Sequence, residues 1–162
     1  MSNEQTKDFN AMLHDSKDMP KIKIITDEKT IVKYGGTKML LAPPIAYDKV
    51  MRQISNGKLI TVNLIRNYLA EQHGADFTDP LTAGIFVSIV AWASEQRASD
   101  KTPYWRTLKK GGELNPKYPG GQEKQKELLE AEGHIIISKG KKNIRYFVDG
   151  FENKLVDIRQ LK

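Results

Sequence analysis

Residues that could bind a nucleotide stand together at Pro103-Tyr104-Trp105-Arg106. Two adjacent aromatic rings can stack on a base, and a neighbouring cation can pair with a phosphate. Between residues 101 and 126 the chain has seven Lys or Arg and two acidic residues, which strengthens the attraction to a polyanion. Single aromatic residues more often close the edge of a hydrophobic core. The sequence therefore leaves two roles open for Tyr104 and Trp105.

The composition limits the chemistry further. The chain has 162 residues and a formal net charge of +6, which suits one domain with a polyanionic partner such as nucleic acid. It contains no cysteine, so disulfides, thiolate metal ligands and sulfur nucleophiles are excluded. No apolar run has the length of a membrane span, and the polar start of the chain lacks an apolar signal core. We therefore expect a cytoplasmic protein without membrane contacts.

Signatures of catalysis and of cofactor binding are missing from the sequence. His14, His73 and His134 are scattered without the spacing of metal ligands. The Gly35-Gly36-Thr37-Lys38 segment lacks the pattern of a phosphate-binding loop. We expect no metal site and no cofactor, and an enzyme is the least supported interpretation.

The first 42 residues are predicted to form a polar tail and a short β extension. Within the tail, Ala11, Met12 and Leu13 form a weak helical patch, so residues 1 to 19 are either a frayed helix or a tail. Residues 21–25 and 30–34 alternate or run apolar around an acidic pair, which indicates two short strands. Residues 38–42 are a candidate third strand. We therefore place a domain boundary after residue 42, with the main domain spanning 43–162.

From Pro43-Pro44 onwards the apolar residues recur at helical spacing. The first predicted helix closes near Asn56-Gly57, and Thr61 opens the second. Asp79-Pro80 caps a third helix over 81–94, which is apolar nearly all round and should be buried on most sides. Three helices with short connections predict a helix-turn-helix core.

The C-terminal part predicts a wing. Residues 122–132 form a fourth helix ended by Gly133, and residues 135–139 and 143–148 form a hairpin with a basic turn around Gly140. The fold class is therefore α+β and winged-helix-like. The basic turn is either a DNA contact or a solvated edge that is protected against strand pairing.

Several segments, taken in order, resemble the DNA-binding domain of the alkylguanine-DNA alkyltransferases over residues 43–137. The resemblance implies a winged-helix DNA-binding domain. The matching segments are AYDKVM at 46–51, NGKLIT at 56–61, PYWR at 103–106, GEL at 112–114, YPGG at 118–121 and LLEAEG at 128–133.

The active site of that family has the sequence Pro-Cys-His-Arg, and its cysteine accepts the alkyl group from guanine. Tyr104 and Trp105 stand at the positions of the cysteine and the histidine. A phenol with a pKa of about 10 is scarcely ionised at neutral pH, so it does not substitute for the thiolate. Because the cysteine nucleophile is absent, the alkyl transfer of that family is excluded. Glu132, which matches the third residue of the network, lacks the histidine that it would orient.

The chain thus resembles the alkyltransferase-like branch, whose members lack the cysteine and bind the damaged base without repairing it. The implied function is recognition of alkylated guanine, such as methylguanine, by flipping the base into an aromatic pocket and flagging it for DNA repair. The implied partners are double-stranded DNA with an alkylated guanine and nucleotide excision repair proteins. The implied lesion pocket consists of Pro103, Tyr104, Trp105, Arg106, Tyr118, Pro119, Gly120 and Glu132.

Three departures distinguish the chain from the family. Trp105 replaces a histidine that the branch typically keeps, Gly84 stands at or near the arginine that the family inserts into the base stack, and Val62 matches a tyrosine that helps to turn the target phosphate. The departures at Gly84 and Val62 favour an alternative, a winged-helix binding module that reuses the scaffold for transcriptional, protein or ligand contacts. The predicted DNA-binding residues are Thr61, Thr82, Gly84, Ser88, Lys109, Lys110, Lys141 and Lys142.

Overall fold

Helices form the centre of the protein and three small sheets lie around them in the computed structural model, which describes residues 7–162. This arrangement confirms the predicted α+β class. No helix in this range is long and apolar enough to cross a membrane. The helices are α1 (Phe9–His14), α2 (Glu28–Tyr34), α3 (Pro44–Met51), α4 (Val62–Gln72), α5 (Pro80–Gln96) and α6 (Gly121–Ala131). The strands are β1 (Lys21–Ile24), β2 (Lys38–Leu41), β3 (Ile60–Thr61), β4 (Phe77–Thr78), β5 (Thr107–Leu108), β6 (Ile136–Lys139) and β7 (Arg145–Val148).

Helix α5 is the central element of the main core. Asp79 opens it, since its side chain accepts hydrogen bonds from the backbone N–H groups of Leu81 and Thr82. Residues such as Val87 and Val90 are fully buried, as the apolar composition of this segment predicted. The first turns are an exception, because Leu81 is 73% exposed.

Helices α3 and α4 complete the helical core with α5. Helix α3 begins after Pro43 and ends at Met51, earlier than the predicted end near residue 56. The Thr61 side chain accepts from the N–H of Leu64 and opens α4 at the predicted residue. Both α3 and α4 pack against α5.

Of the two forms predicted for the start of the chain, a frayed helix or a tail, residues 9–14 adopt the helix, which packs on the core. Asp8 caps a short helix there, and the Phe9 and Leu13 side chains, four residues apart, are buried in the main core. The Phe9 ring stacks on Trp92 of α5 at a centroid distance of 5.6 Å. Residues 1–6, which belong to the predicted tail, lie outside the described range.

The prediction of a strand over residues 30–34 is wrong, because this segment belongs to helix α2. The Asp27 side chain accepts from both the backbone N–H and the hydroxyl of Thr30, and Gly35 ends the helix in a left-handed conformation with φ of 84°. These two end signals outweigh the β-branched residues between them. Tyr34 at the end of α2 stacks on Phe77 with the ring centroids 4.8 Å apart.

Short strand pairings connect distant parts of the chain. Strand β2 lies between β1 and β4 and joins the predicted β extension to the helical core through the Leu40 and Thr78 pair. Strands β3 and β5 pair in parallel, with Thr61 opposite Leu108. The start of α4 is therefore next to the basic residues that follow β5.

The predicted wing is present as the antiparallel hairpin of β6 and β7. Gly140 in its turn has φ of 99°, and a Cβ at this position would lie 2.3 Å from the Asn143 carbonyl oxygen, so the turn requires glycine. Arg145 forms two 2.8 Å hydrogen bonds with Glu113. This pairing attaches the hairpin to the loop after β5. It also engages Arg145, one of the four basic residues around the turn, which are Lys139, Lys141, Lys142 and Arg145.

Candidate functional site

Tyr104 belongs to the hydrophobic core. It begins a 3-10 turn over Tyr104–Arg106 and is 2% exposed. Its ring meets Trp105 and Tyr118 edge to face, at centroid distances of 5.5 and 5.3 Å. Of the two roles that the sequence left open, the core role applies to Tyr104 in this structure, since neither ring face is open to a base.

The hydroxyl group of Tyr104 is a buried polar atom without a partner among residues 7–162. Burial, with a smaller contribution from the charge of Glu95, raises the pKa of Tyr104 to about 12. The phenol is therefore protonated at neutral pH, a form in which it is a weak nucleophile. An unpaired donor in this position costs free energy in the free protein, and a ligand that accepted a hydrogen bond from it would remove that cost.

Trp105, Arg106 and Glu132 form one hydrogen-bonded cluster. The Trp105 indole N–H donates to Glu132 at 3.0 Å, and Arg106 donates to both carboxylate oxygens and to the Ile54 carbonyl. Burial alone would raise the pKa of Glu132, but the hydrogen bonds from Arg106 and Trp105 outweigh it and hold the pKa below its ordinary value of 4.5. The indole thus donates to this carboxylate from the position that the resemblance assigns to a histidine.

The Tyr118-Pro119-Gly120 segment of the implied lesion pocket is tightly packed in this structure. Tyr118 is buried, and its hydroxyl donates to the Thr107 carbonyl at 3.1 Å. Pro119 is also buried, whereas Pro103 is partly exposed. Gly120 has φ of 76°, and a Cβ there would lie 2.5 Å from the Lys124 Cβ, so this close approach to α6 requires glycine. Tyr118 and Pro119 therefore pack inward and Gly120 is exposed.

A groove of about 620 Å³ lies between α2, α4, α5 and the loop after β5. We name it the basic groove. It contains three positions that the sequence analysis singled out, namely Gly84, Lys109 and Lys110, together with Val62. Its lining residues are Lys33, Tyr34, Val62, Asn63, Arg66, Pro80, Leu81, Gly84, Ile85, Val87, Lys109, Lys110, Asn115, Pro116 and Lys117.

The charge of this groove is entirely positive. Five of the lining residues are cations and none is acidic, and none of these cations forms a salt bridge within residues 7–162. Arg66 is held in place because it donates to the Thr78 carbonyl and to the Asn63 side chain, both neutral acceptors. The positive lining of the groove is therefore suited to an anionic ligand. The cations are Lys33, Arg66, Lys109, Lys110 and Lys117.

Three of these cations are not among the predicted DNA-binding residues, although Lys117 belongs to the basic run over residues 101–126. Lys33 lies in the segment predicted as a strand, and Arg66 lies on a helix without any basic neighbour within three residues. Their charges become part of a site only because α2 and α4 border the groove. The capping signals around α2 were the available sequence evidence for the position of Lys33.

Three of the other predicted DNA-binding residues, Thr61, Thr82 and Ser88, make structural contacts of their own. The hydroxyl groups of Thr61 and Thr82 bond at the starts of α4 and α5, Thr82 to Asp79 at 2.8 Å. Ser88 donates to the Lys117 carbonyl at 3.4 Å. Lys141 and Lys142 are exposed in the wing turn and do not line the basic groove.

No group of three or more His, Asp or Glu residues suited to a metal ion occurs within residues 7–162. His134 is buried, and its Nε2 atom lacks a partner in this range. Burial lowers the pKa of His134, so the ring is neutral at physiological pH.

The Glu132 cluster predicts a defined pH dependence of stability. Glu132→Gln should lower the free energy of unfolding at pH 7 by about 2 kcal/mol, because the bonds to Arg106 and Trp105 lose their ionic character. A carboxyl group with a lowered pKa stabilises the fold above its unfolded pKa and loses this contribution as the pH falls. The difference between variant and wild type should therefore shrink below about pH 4.5.

Urea unfolding at pH 7 and at pH 3.5 to 4 measures this difference. Glu130→Gln is the matched control, because Glu130 is exposed on the last turn of α6, two residues before Glu132, and forms no salt bridge within the described residues. A constant difference at both pH values would contradict an ionic role for Glu132.

The comparisons with known proteins are sparse. No protein-family model matches the chain, and no curated protein matches its sequence. Among solved structures, the chain is similar to S. pombe Atl1 in complex with damaged DNA containing O6-carboxymethylguanine. The identity is 18%, the match covers 72% of this chain and 99% of that chain, and the TM-score is 0.49.

Proposed function

We propose that the protein is a non-enzymatic DNA-binding protein that binds duplex DNA along the basic groove. The supporting observation is the concentration of five unpaired cations without a lining carboxylate. Double-stranded DNA has a negative charge about every 1.7 Å along its axis, so a groove with several cations neutralises several phosphates at once. The net charge of +6 favours the same class of partner.

We infer further that the protein recognises alkylated guanine and leaves the alkyl group in place. The support is the resemblance of the segments at 103–106 and 118–121 to alkyltransferases, together with the absence of cysteine from the chain. Flipping costs less for a base whose pairing is already weakened, which would give a preference for the lesion. Flagging of the bound lesion for nucleotide excision repair is part of this proposal.

The Tyr104 hydroxyl is the group that we assign to the flipped base. It lies at the position of the family's nucleophile, is protonated at neutral pH and has no partner among the described residues. A guanine oxygen or nitrogen that accepted a hydrogen bond from this hydroxyl would satisfy a donor that is otherwise buried without a partner. Entry of the base requires the Tyr104 and Trp105 rings to separate, since they now lie in contact.

A winged-helix module that binds another protein is the second candidate function. The observation that favours it is the exposure of Leu81 and Ile85, at 73% and 50%, on the helix that borders the groove. Exposed apolar side chains in this position are also suited to bind the surface of another protein. The two functions differ in how their affinities depend on salt concentration. Binding to DNA phosphates weakens as salt rises, whereas an apolar contact with a protein does not involve phosphates and lacks this dependence.

Removal of two groove cations should weaken DNA binding in a salt-dependent way. For Lys109→Gln/Lys110→Gln we expect lower affinity for a short duplex and a decrease of about 2 in the slope of log K against log salt, because two phosphate contacts are lost. Fluorescence anisotropy at several salt concentrations measures both quantities. Lys23→Gln/Lys49→Gln removes the same charge from exposed positions outside the groove and should leave the slope nearly unchanged. Equal effects of the two double variants would contradict binding along the groove.

Loss of the Tyr104 hydroxyl should lower lesion preference without loss of folding. Tyr104→Phe should bind an undamaged duplex as the wild type does, but its preference for a duplex with one O6-alkylguanine should fall about fivefold, which corresponds to one hydrogen bond. Tyr47→Phe is the matched control, because the Tyr47 hydroxyl is also buried without a partner in the described range. An unchanged preference in Tyr104→Phe would refute the assigned contact, and equal affinity of the wild type for both duplexes would refute lesion recognition.

A further inference from the structure

Two large apolar side chains are exposed on the face of α5 that borders the basic groove. Leu81 and Ile85 lie four residues apart and therefore project from the same side of the helix. They are 73% and 50% exposed, whereas Val87 and Val90 of the same helix are fully buried. We name Leu81, Gly84 and Ile85 the apolar stripe.

The apolar stripe is open, whereas the following part of the same helix face is covered by the loop at Lys117. The Lys117 carbonyl accepts hydrogen bonds from Trp92 at 2.8 Å and from Ser88 at 3.4 Å, which holds the loop against the later turns of α5. The loop does not extend over the first turns. Apart from the adjoining backbone of α5 itself, a Cβ at Gly84 would have no atom of residues 7–162 within 4 Å, so the stripe is also accessible at its centre.

The charge around the stripe indicates the chemistry of its partner. Lys33 and Arg66 approach from α2 and α4, and Lys109, Lys110 and Lys117 approach from the loop after β5. An apolar surface bordered by unpaired cations is complementary to DNA, in which stacked apolar bases lie between two rows of phosphates. The nearby carboxylate of Asp79 is engaged with the N–H groups at the start of α5.

We propose that Leu81 and Ile85 form an apolar wedge that enters the minor groove and unstacks a base step while the surrounding cations hold the phosphates. This inference rests on the proposed DNA-binding function. Leu and Ile are side-chain types that proteins insert between base pairs from the minor groove, and the unstacking bends the duplex. The wedge would supply the unstacking force that the family obtains from an arginine, for which this chain has Gly84.

Gly84 also has a role in this proposal. It lies between the two wedge side chains and has no side chain of its own, so the helix backbone can approach the sugar edges of the minor groove closely. A larger residue at this position would hold the helix away from the duplex. The stripe therefore combines close approach at Gly84 with insertion at the two flanking side chains.

The experiment uses a short duplex with 2-aminopurine, whose fluorescence rises when the base is unstacked, together with anisotropy for affinity. The full-length wild type should raise the 2-aminopurine fluorescence on binding. In Leu81→Ala/Ile85→Ala the fluorescence increase should fall about fivefold or more while the salt slope of binding remains that of the wild type. Both positions are exposed, and alanine favours helix, so the variant should fold.

The matched control is Ile22→Thr/Ile24→Thr on β1, where two exposed apolar side chains are replaced by a residue that still favours strands. This control should bind and unstack DNA as the wild type does. Salt-sensitive binding by the wild type with no fluorescence increase, or with an increase that the alanine variant retains, would overturn the wedge and leave the DNA-binding function standing. Absence of salt-sensitive duplex binding would overturn both.

Sedimentation of the same proteins tests the competing occupant. We expect the wild type and the Leu81→Ala/Ile85→Ala variant to have the same mass in solution. A wild-type dimer that dissociates in the variant would identify the apolar stripe as a contact between two copies of the chain, and would overturn the wedge.

Discussion

Burial of helix α5 is the constraint on which the other features of this protein depend. Helices α1, α3 and α4 and the turn at Tyr104 all pack against it, and its inward residues, such as Val87 and Val90, are fully buried. An apolar helix with so many neighbours has one remaining open face. The loop at Lys117 covers the later turns of that face, so the exposed part is the short stripe around Gly84. The position of the candidate DNA interface is thus a consequence of core packing.

The parallel pairing of β3 with β5 then determines the charge of this interface. It places the start of α4 beside the chain that continues to Lys109 and Lys110, although some 45 residues separate the two strands in sequence. Arg66 is held by the Thr78 carbonyl and keeps its charge unpaired. Phosphate binding depends on how many cations reach one surface, and this surface collects them from three separate segments.

Much of the fold could be predicted from the sequence, because its signals are local. Thr61 and Asp79 cap helices at the predicted residues, and Gly140 marks the turn of the wing. The β-branched residues at 30–34 favour a strand, but the Asp27 cap and the left-handed Gly35 stabilise a helix there. Burial of Tyr104 could not be predicted, since the same ring would suit a core or a stacking surface until its neighbours Trp105 and Tyr118 are known. Lys33 and Arg66 were missed for a similar reason, because only tertiary packing brings them to the groove.

The most direct test of the central claim is an amide NMR titration of the labelled protein with a short duplex. If the basic groove binds DNA, the shifts should concentrate at the first turns of α5, at residues 62–66 and at residues 109–117. Strand β1, which does not line the groove, should remain unchanged. Shifts that concentrate on β1 or are confined to the wing turn around Gly140, with the groove unaffected, would contradict the account.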